Sequence, residues 1–425
     1  MTRVRVAVIG GGPAGLAAAI AAAEDGASVL LIEKDARLGG ALKQAICDDF
    51  GFLRYEERLT GPEYAFRDID ILHQTNCIVM LQTFVTRIDR VNNAFHLTMS
   101  NRHGIVRIEA GTVVLATGCR EYTAKEMGIH GTRPSGVFTA GSAQYYLNVL
   151  GQLPSKNCII FGSSNIGLSM ARQLKIEGAD VLAMYEKSSR ALGFPYKISQ
   201  CLYDFETPFH TRHAVTRIFG AQRIRGVEVF GLDSREAPVK GTESAVRCDG
   251  LLIATGLTPE NKLADSLGVP ICELSRGPFC DQRNMTVVDG LFSCGNSLHV
   301  NSCVDYISEC GRNAGLNAAR YMERARTLIR VKAGKDFQHI IPQYIDIDSV
   351  NIQADVYFRT SQKHEKATVK VLLGNEPIFS QDFVLIHPSK TYKLAVNFES
   401  ALTPNSNIQI TIDRAPQPVH VGGTT

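Results

Sequence analysis

The stretch Val4–Glu33, VRVAVIGGGPAGLAAAIAAAEDGASVLLIE, constrains the fold more than any other part of the chain. Val6–Ile9 is an apolar run of buried-strand length. Gly10, Gly12 and Gly15 follow at the spacing G-x-G-x-x-G, then an Ala-rich helix from Leu16 to Ala23. A second apolar strand, Val29–Ile32, ends in Glu33. This is a βαβ unit, and each part has a physical role. Gly10 permits the tight turn, Gly12 lets a pyrophosphate approach the backbone, and Gly15 lets helix and strand pack closely. The helix N-terminus offers unpaired N–H groups and a partial positive charge to phosphates. Glu33 stands where a carboxylate accepts hydrogen bonds from a ribose hydroxyl. No Lys-Ser or Lys-Thr follows the glycines, which excludes a phosphate loop of the NTPase kind.

The pattern recurs. Cys158–Phe161 reads as a strand, Gly162-Ser163-Ser164-Asn165-Ile166-Gly167 as the loop, and a helix runs to Glu177 with Gly178 as its C-cap. Val181–Tyr185 is the next strand, ending at Glu186. Ser164 replaces the middle glycine, so this loop is the weaker match. Each copy closes with a strand and Ala-Thr-Gly: Ala116-Thr117-Gly118 after the first, Ala254-Thr255-Gly256 after the second. A third motif, Gly295-Asn296 after an apolar strand, precedes a helix expected from about Val304 to Arg324. Gly311, Gly315 and Ala319 give that helix a face of small residues for close packing.

Between these motifs, Gly39-Gly40 suggests backbone pressed against the far side of the first ligand. Residues 59–75 read as a helix with Thr60 as N-cap and Pro62 in the first turn. Alternating segments at 77–91, 94–100 and 105–109 read as a small antiparallel insertion. Residues 325–337 read as a basic linker. Beyond it, alternating strands imply a small all-β domain over 338–415, with a frayed tail from Pro416.

Composition narrows the function. With 425 residues the chain has room for two or three domains. A net charge of +3 is too small to argue for nucleic acid or an anionic membrane. No apolar run reaches the length of a membrane span. A strand entered by residue 4 leaves no room for a signal peptide, and the 11 cysteines lack C-x-x-C or zinc spacing, so reduced thiols in the cytoplasm are expected. No metal site is expected; His364-Glu365 lacks the second His of a metalloprotease helix.

In order and spacing these motifs resemble the pyridine nucleotide–disulfide oxidoreductase superfamily. The resemblance implies two Rossmann-like domains with three-layer ββα architecture, one for FAD (1–122 and 259–330) and one for NAD(P) (123–258). It places FAD against Gly10, Gly12, Pro13, Ala14, Gly15, Glu33, Lys34, Gly39, Gly40, Ala41, Leu42, Val85, Ala116, Thr117, Gly118, Gly295, Asn296, Cys303 and Val304. NAD(P)H falls against Gly162, Ser164, Asn165, Ile166, Gly167, Glu186, Ala254, Thr255 and Gly256. The family's third motif usually ends in Gly-Asp; Asn296 keeps the hydrogen bond and loses the charge. GGALKQAICDDFG, TGCREYT, GTRPSGVFTAGSAQ and CGNSLHVNSCVDYIS resemble a narrower bacterial group, associated with glycerol-3-phosphate-dehydrogenase-like proteins and with flavoprotein subunits of sarcosine and opine oxidases. That group carries Cys at the position of Ala45 and His at that of Cys47, so no role transfers to either.

Disulfide reductases of the superfamily place C-x-x-x-x-C after the paired glycines. Here those positions are Leu42 and Cys47, so the intrachain disulfide mechanism is not expected. Cys47 could face the flavin as a lone thiol; filling space is the plainer reading. Cys303, before a helix, is where dipoles favour thiolate, yet packing is favoured for it and for Cys310. His299 could donate a proton; a solvent-facing or hydrogen-bonded imidazole is the plainer reading. Glu186 favours NADH, while Lys187, Ser188 and Arg190 could instead accept a 2′-phosphate. The expected activity is hydride transfer between NAD(P)H and FAD, with electrons exchanged with a partner dehydrogenase subunit or a small acceptor. The alternatives are a single-cysteine peroxide or persulfide reductase and a non-catalytic FAD-binding subunit. The β domain is expected to help dock the partner; otherwise it covers apolar surface or builds a homodimer.

Overall fold

The structure, a computed structural model, describes residues 2–349, 352–398 and 402–414. The tail from Pro416 lies outside them. The chain divides into two compact units: 1–38, 68–118 and 259–425 in one, 39–67 and 119–258 in the other.

The first unit is built on a sheet ordered Ile78–Met80, Val29–Ile32, Thr2–Ile9, Gly104–Leu115, Ala94–Asn101, Phe84–Val91. Thr2–Ile9 lies parallel to both Val29–Ile32 and Gly104–Leu115. The segment expected as a strand at 105–109 and the start of the closing strand before Ala116-Thr117-Gly118 are one 12-residue strand. On the side away from Thr2–Ile9, its early part pairs antiparallel with Ala94–Asn101 and its last three residues pair parallel with Leu291–Ser293.

Helix Pro13–Glu24 is buried along nearly its whole length. Helix Val304–Ala319 packs directly on it, because a Cβ on Gly311 or Gly315 would collide with the Ala14 or Ala18 carbonyl. The small-residue face read from the sequence therefore has its partner. The helix stops short of Arg324: Arg320 is the C-cap, and its guanidinium grips the Asp25 carboxylate at 2.6 Å.

In the second unit a five-stranded sheet runs Phe209–Thr211, Asp180–Glu186, Asn157–Phe161, Gly250–Ile253, Val137–Thr139, all parallel. Helix Asn165–Ile176 buries Leu168, Met170, Ala171 and Leu174 against its core. A four-stranded sheet, Ser244–Val246, Ile224–Gly231, His213–Gly220 and His130–Gly131, forms a further layer. Helix Gly61–His73 opens with a capping box: Thr60 N–H donates to Glu63 Oε2 at 2.7 Å and Glu63 N–H to Thr60 Oγ1 at 3.4 Å.

The C-terminal strands form two sheets, of five and three strands, around their own core. They begin earlier than expected. The basic stretch after 325 contains strand Leu328–Ala333, whose Ile329 and Val331 turn inward while Arg330 and Lys332 stay outside. Strand Gln353–Thr360 serves two cores. Ala354, Val356 and Phe358 face the strand domain, whereas Tyr357 joins the apolar cluster of Pro13–Glu24 and Val304–Ala319.

Candidate functional site: two glycine loops

At the first loop, Gly10 adopts φ +109°, and a Cβ there would strike the Ala116 carbonyl. A Cβ on Gly15 would overlap the Gly10 carbonyl oxygen. Gly12 is the N-cap of a helix that begins with Pro13, and no side chain caps it. The first-turn N–H groups therefore remain for a ligand. Glu33 is 5% exposed. Its Oε2 accepts from Gly11 N–H at 2.6 Å and its Oε1 from Asp35 N–H at 2.8 Å, so the acid also fixes the loop. Ala116 N–H donates to the Ile9 carbonyl at 2.9 Å, and Thr117 Oγ1 donates to the Glu260 carbonyl at 2.7 Å. Gly295 packs on Ala14, leaving no room for a Cβ, and Asn296 Oδ1 accepts from Asn301 N–H at 2.9 Å. Cys303 is the N-cap of the long helix.

The second loop repeats this geometry with different atoms. Gly162 has φ +104°, and a Cβ there would lie 2.5 Å from the Ala254 carbonyl oxygen. Ser164 is the helix N-cap but commits its hydroxyl to that same carbonyl at 2.7 Å rather than capping its own helix. Its first-turn N–H groups are thus as available as those behind Gly12. Glu186 is 4% exposed and accepts from Ser163 N–H at 2.9 Å, Ser163 Oγ at 2.6 Å and Ser188 N–H at 2.9 Å. Thr255 Oγ1, unlike Thr117 Oγ1, is buried without a partner. Segment 192–194 lies over the loop: Leu192 N–H donates to Ser163 Oγ at 3.0 Å and Phe194 N–H to Asn165 Oδ1 at 2.9 Å. Sequence reasoning misses Ser163; its position, equivalent to Gly11, is the signal that could have found it.

Of the residues assigned to the first ligand, Gly10–Gly15, Glu33, Lys34, Val85, Ala116–Gly118, Gly295, Asn296, Cys303 and Val304 belong to the first unit. Val85 turns its side chain into the core. Gly39–Leu42 and Cys47 belong to the second unit, where Gly40–Gln44 forms a short 3-10 turn. None of the 11 cysteines, all of them among the described residues, is in a disulfide. Burial pushes the Cys47 thiol up, and it hydrogen-bonds Asp49. Asp49 forms an ion pair with Lys197 at 2.5 Å and accepts from Tyr196 Oη at 3.2 Å. Burial opposes the Asp49 charge, but Lys197 wins and holds the carboxyl below its ordinary range. Burial likewise pushes the Cys303 thiol up, opposite to the direction expected at a helix N-terminus. His299 is not solvent-facing: it is 1% exposed. Among the described residues no cluster suited to a metal ion occurs, and no helix is long and apolar enough to cross a membrane.

Two units, each with a glycine loop between parallel strands and an acid at the end of the second of them tied to that loop, define a protein with two dinucleotide-type loops. The chain belongs to the pyridine nucleotide-disulphide oxidoreductase family, whose model matches residues 4–309. Its cofactors are FAD and NAD(P)H. The chain is 30% identical to the alpha subunit of the sarcosine oxidase of Rhizobium meliloti, over 64% of this chain and 26% of that protein. It is 24% identical to an opine oxidase subunit of Agrobacterium tumefaciens, over 68% and 60% respectively. It therefore spans less than two thirds of these relatives. The T. acidophilum thioredoxin reductase structure superposes with a TM-score of 0.63 at 21% identity, covering 75% of this chain and 99% of that one.

Proposed function

We propose that the first loop holds FAD, that the second holds NADH, and that the chain passes electrons between this pair and a partner dehydrogenase subunit. The repeated loop carries the reading: two helix N-termini without caps, each beside a buried, backbone-tethered glutamate. FAD, when bound, supplies the ring that exchanges hydride with the nicotinamide. The chain's part is to bind and orient. Gly10–Gly15 and the first-turn N–H groups take one pyrophosphate, and Asn296 and the Cys303–Val304 turn take the remainder of FAD. The second loop and Thr255 Oγ1, the unsatisfied hydroxyl, take the nicotinamide dinucleotide. NADH is favoured because Glu186 would repel a 2′-phosphate.

The partner-subunit reading rests on the relatives, two of which are named as oxidase subunits. A single-cysteine reductase has less support, since the Cys47 thiol is held protonated against a carboxylate. The test is Gly12→Val. The purified wild type should be yellow and release FAD on denaturation. The variant should lose FAD, because its branched side chain would occupy the pyrophosphate position. Stoichiometric FAD in the variant would overturn the assignment.

A further inference from the structure

Strand Gln353–Thr360 turns Asp355, Tyr357 and Arg359 to one face. Two of these meet charged partners: Asp355 pairs with Lys393 at 3.5 Å, and Tyr357 Oη donates to Glu309 Oε2 at 3.2 Å. Arg359 differs. Its Nε donates to Thr391 Oγ1 at 3.2 Å and its Nη2 to the Ser389 carbonyl at 3.0 Å, both neutral acceptors. Among the described residues no carboxylate pairs with it. Burial alone pulls its guanidinium down to about 10.

Two imidazoles share its field. The His299 and His339 rings lie 5.3 Å apart. Burial, with the charge of Arg359 adding to it, keeps both neutral. His299 Nδ1 and His339 Nε2 are buried with no hydrogen-bond partner. The three side chains come from a strand, a neighbouring strand and the loop after Asn296. His339 and Arg359 are cross-strand partners, and Thr391, which accepts from Arg359, donates its N–H at 2.9 Å to Ser302 Oγ in the loop that carries His299, one residue before the Cys303 turn. Lys390 adds a further positive charge near that turn.

A largely buried cation facing only neutral atoms is costly, and two buried nitrogens left unpaired add to the cost. We propose that Arg359, His299 and His339 form a binding site for the carboxylate group of a small organic acid, where the strand domain meets the loop after Asn296. A guanidinium matches a carboxylate through two parallel hydrogen bonds. A neutral imidazole carries one N–H: His339 can present it at its unpaired Nε2, while His299, hydrogen-bonded to the Val300 backbone, lines the site beside it. One permanent charge with a neutral donor beside it suits a monoanion better than phosphate, which carries more charge at neutral pH.

The test is isothermal titration calorimetry on the full-length protein with acetate as probe and inorganic phosphate as competitor. FAD content is read separately from absorbance, so a failure of the cofactor assignment shows independently. Wild type should bind acetate saturably, without competition from equimolar phosphate. Arg359→Gln should weaken acetate about tenfold or more, as expected for loss of a charge-assisted bidentate pair. His339→Phe should weaken it roughly fivefold, about the net value of one hydrogen bond. Absence of saturable binding, preference for phosphate, or unchanged affinity in Arg359→Gln overturns the proposal. Should Arg359→Gln fail to fold, wild-type affinity in both Arg359→Lys and His339→Phe overturns it equally.

Discussion

The two glycine loops reach one geometry by different means. In the first, the backbone suffices: Gly11 N–H alone ties the loop to Glu33, and bare glycines set every close approach. In the second, side chains substitute. Ser163 binds Glu186 through both N–H and hydroxyl, Ser164 ties the loop to Ala254, and Asn165 holds Phe194. The surroundings differ correspondingly. The first helix is enclosed between its sheet and the long helix, whereas the second keeps a solvent-facing side with Arg172 and Ile176 exposed. A motif can lose a glycine where hydroxyls take over the loop's ties; at Gly11 of the first loop a Cβ would instead lie 2.5 Å from the Leu38 side chain.

The largest expected contrast is between Gly15→Ala and Gly167→Ala. At Gly15 the new Cβ overlaps a backbone oxygen of the loop, and the enclosed helix has nowhere to move. We expect loss of about 3 kcal/mol or more and of bound FAD. At Gly167 the Cβ would lie 2.7 Å from the Gly162 carbonyl oxygen and 2.8 Å from the Ala254 methyl, a milder form of the same contact, and the helix has a free side. That variant should keep FAD and most of its melting temperature while binding NADH more weakly. Equal damage in a thermal melt would break the comparison.

Truncation at residue 338 should rank next. Tyr357 and Ile341 belong to the first unit's apolar cluster, so removing them uncovers it. We expect loss of FAD or aggregation. Retained FAD with loss of a co-purifying subunit would instead assign the strand domain to docking alone.

Glu186→Ala should narrow the preference for NADH over NADPH about tenfold, by removing a charge near the 2′ position. Ser163→Ala should act in the same direction by a smaller factor, since it removes one hydrogen bond to that acid. Stopped-flow bleaching with each nucleotide checks both. A wild type that prefers NADPH would show that Lys187 or Arg190 governs the site.

Acid should expose His339. Its folded pKa is depressed to about 3 against an ordinary 6.5, burial being the main cause. The unfolded chain therefore binds more protons between those values. Its contribution is present above pH 6.5 and is lost progressively as pH falls toward 3. His339→Asn should flatten that part of the melting temperature against pH; an unchanged slope would remove His339 as its source.

The smallest effect is expected from Cys47→Ser. With Leu42 in place of a partner cysteine, NADH-driven flavin reduction should stay within about twofold of wild type, since Ser is nearly isosteric with Cys and no disulfide is lost. Loss of turnover with peroxide while flavin reduction survives would favour the thiol mechanism.

Sequence alone determined the two βαβ units, their acids, the closing Ala-Thr-Gly strands and the small face of the long helix. Those features follow from local rules: the period of apolar residues, the conformational freedom of glycine and the reach of a backbone N–H. It misjudged the helix end at Arg324 and the strand at 328–333, and left open whether His299 faces solvent. Basic residues on a strand's outer face resemble a linker, and a loop imidazole gives no sign of what packs over it. Only the tertiary structure decided that Ser163 completes the second acid's shell, that Asp49 and Lys197 enclose Cys47, and that Arg359 stands beside two neutral imidazoles. Each of these joins residues far apart in the chain, and burial and charge at such a junction depend on neighbours that no local pattern encodes.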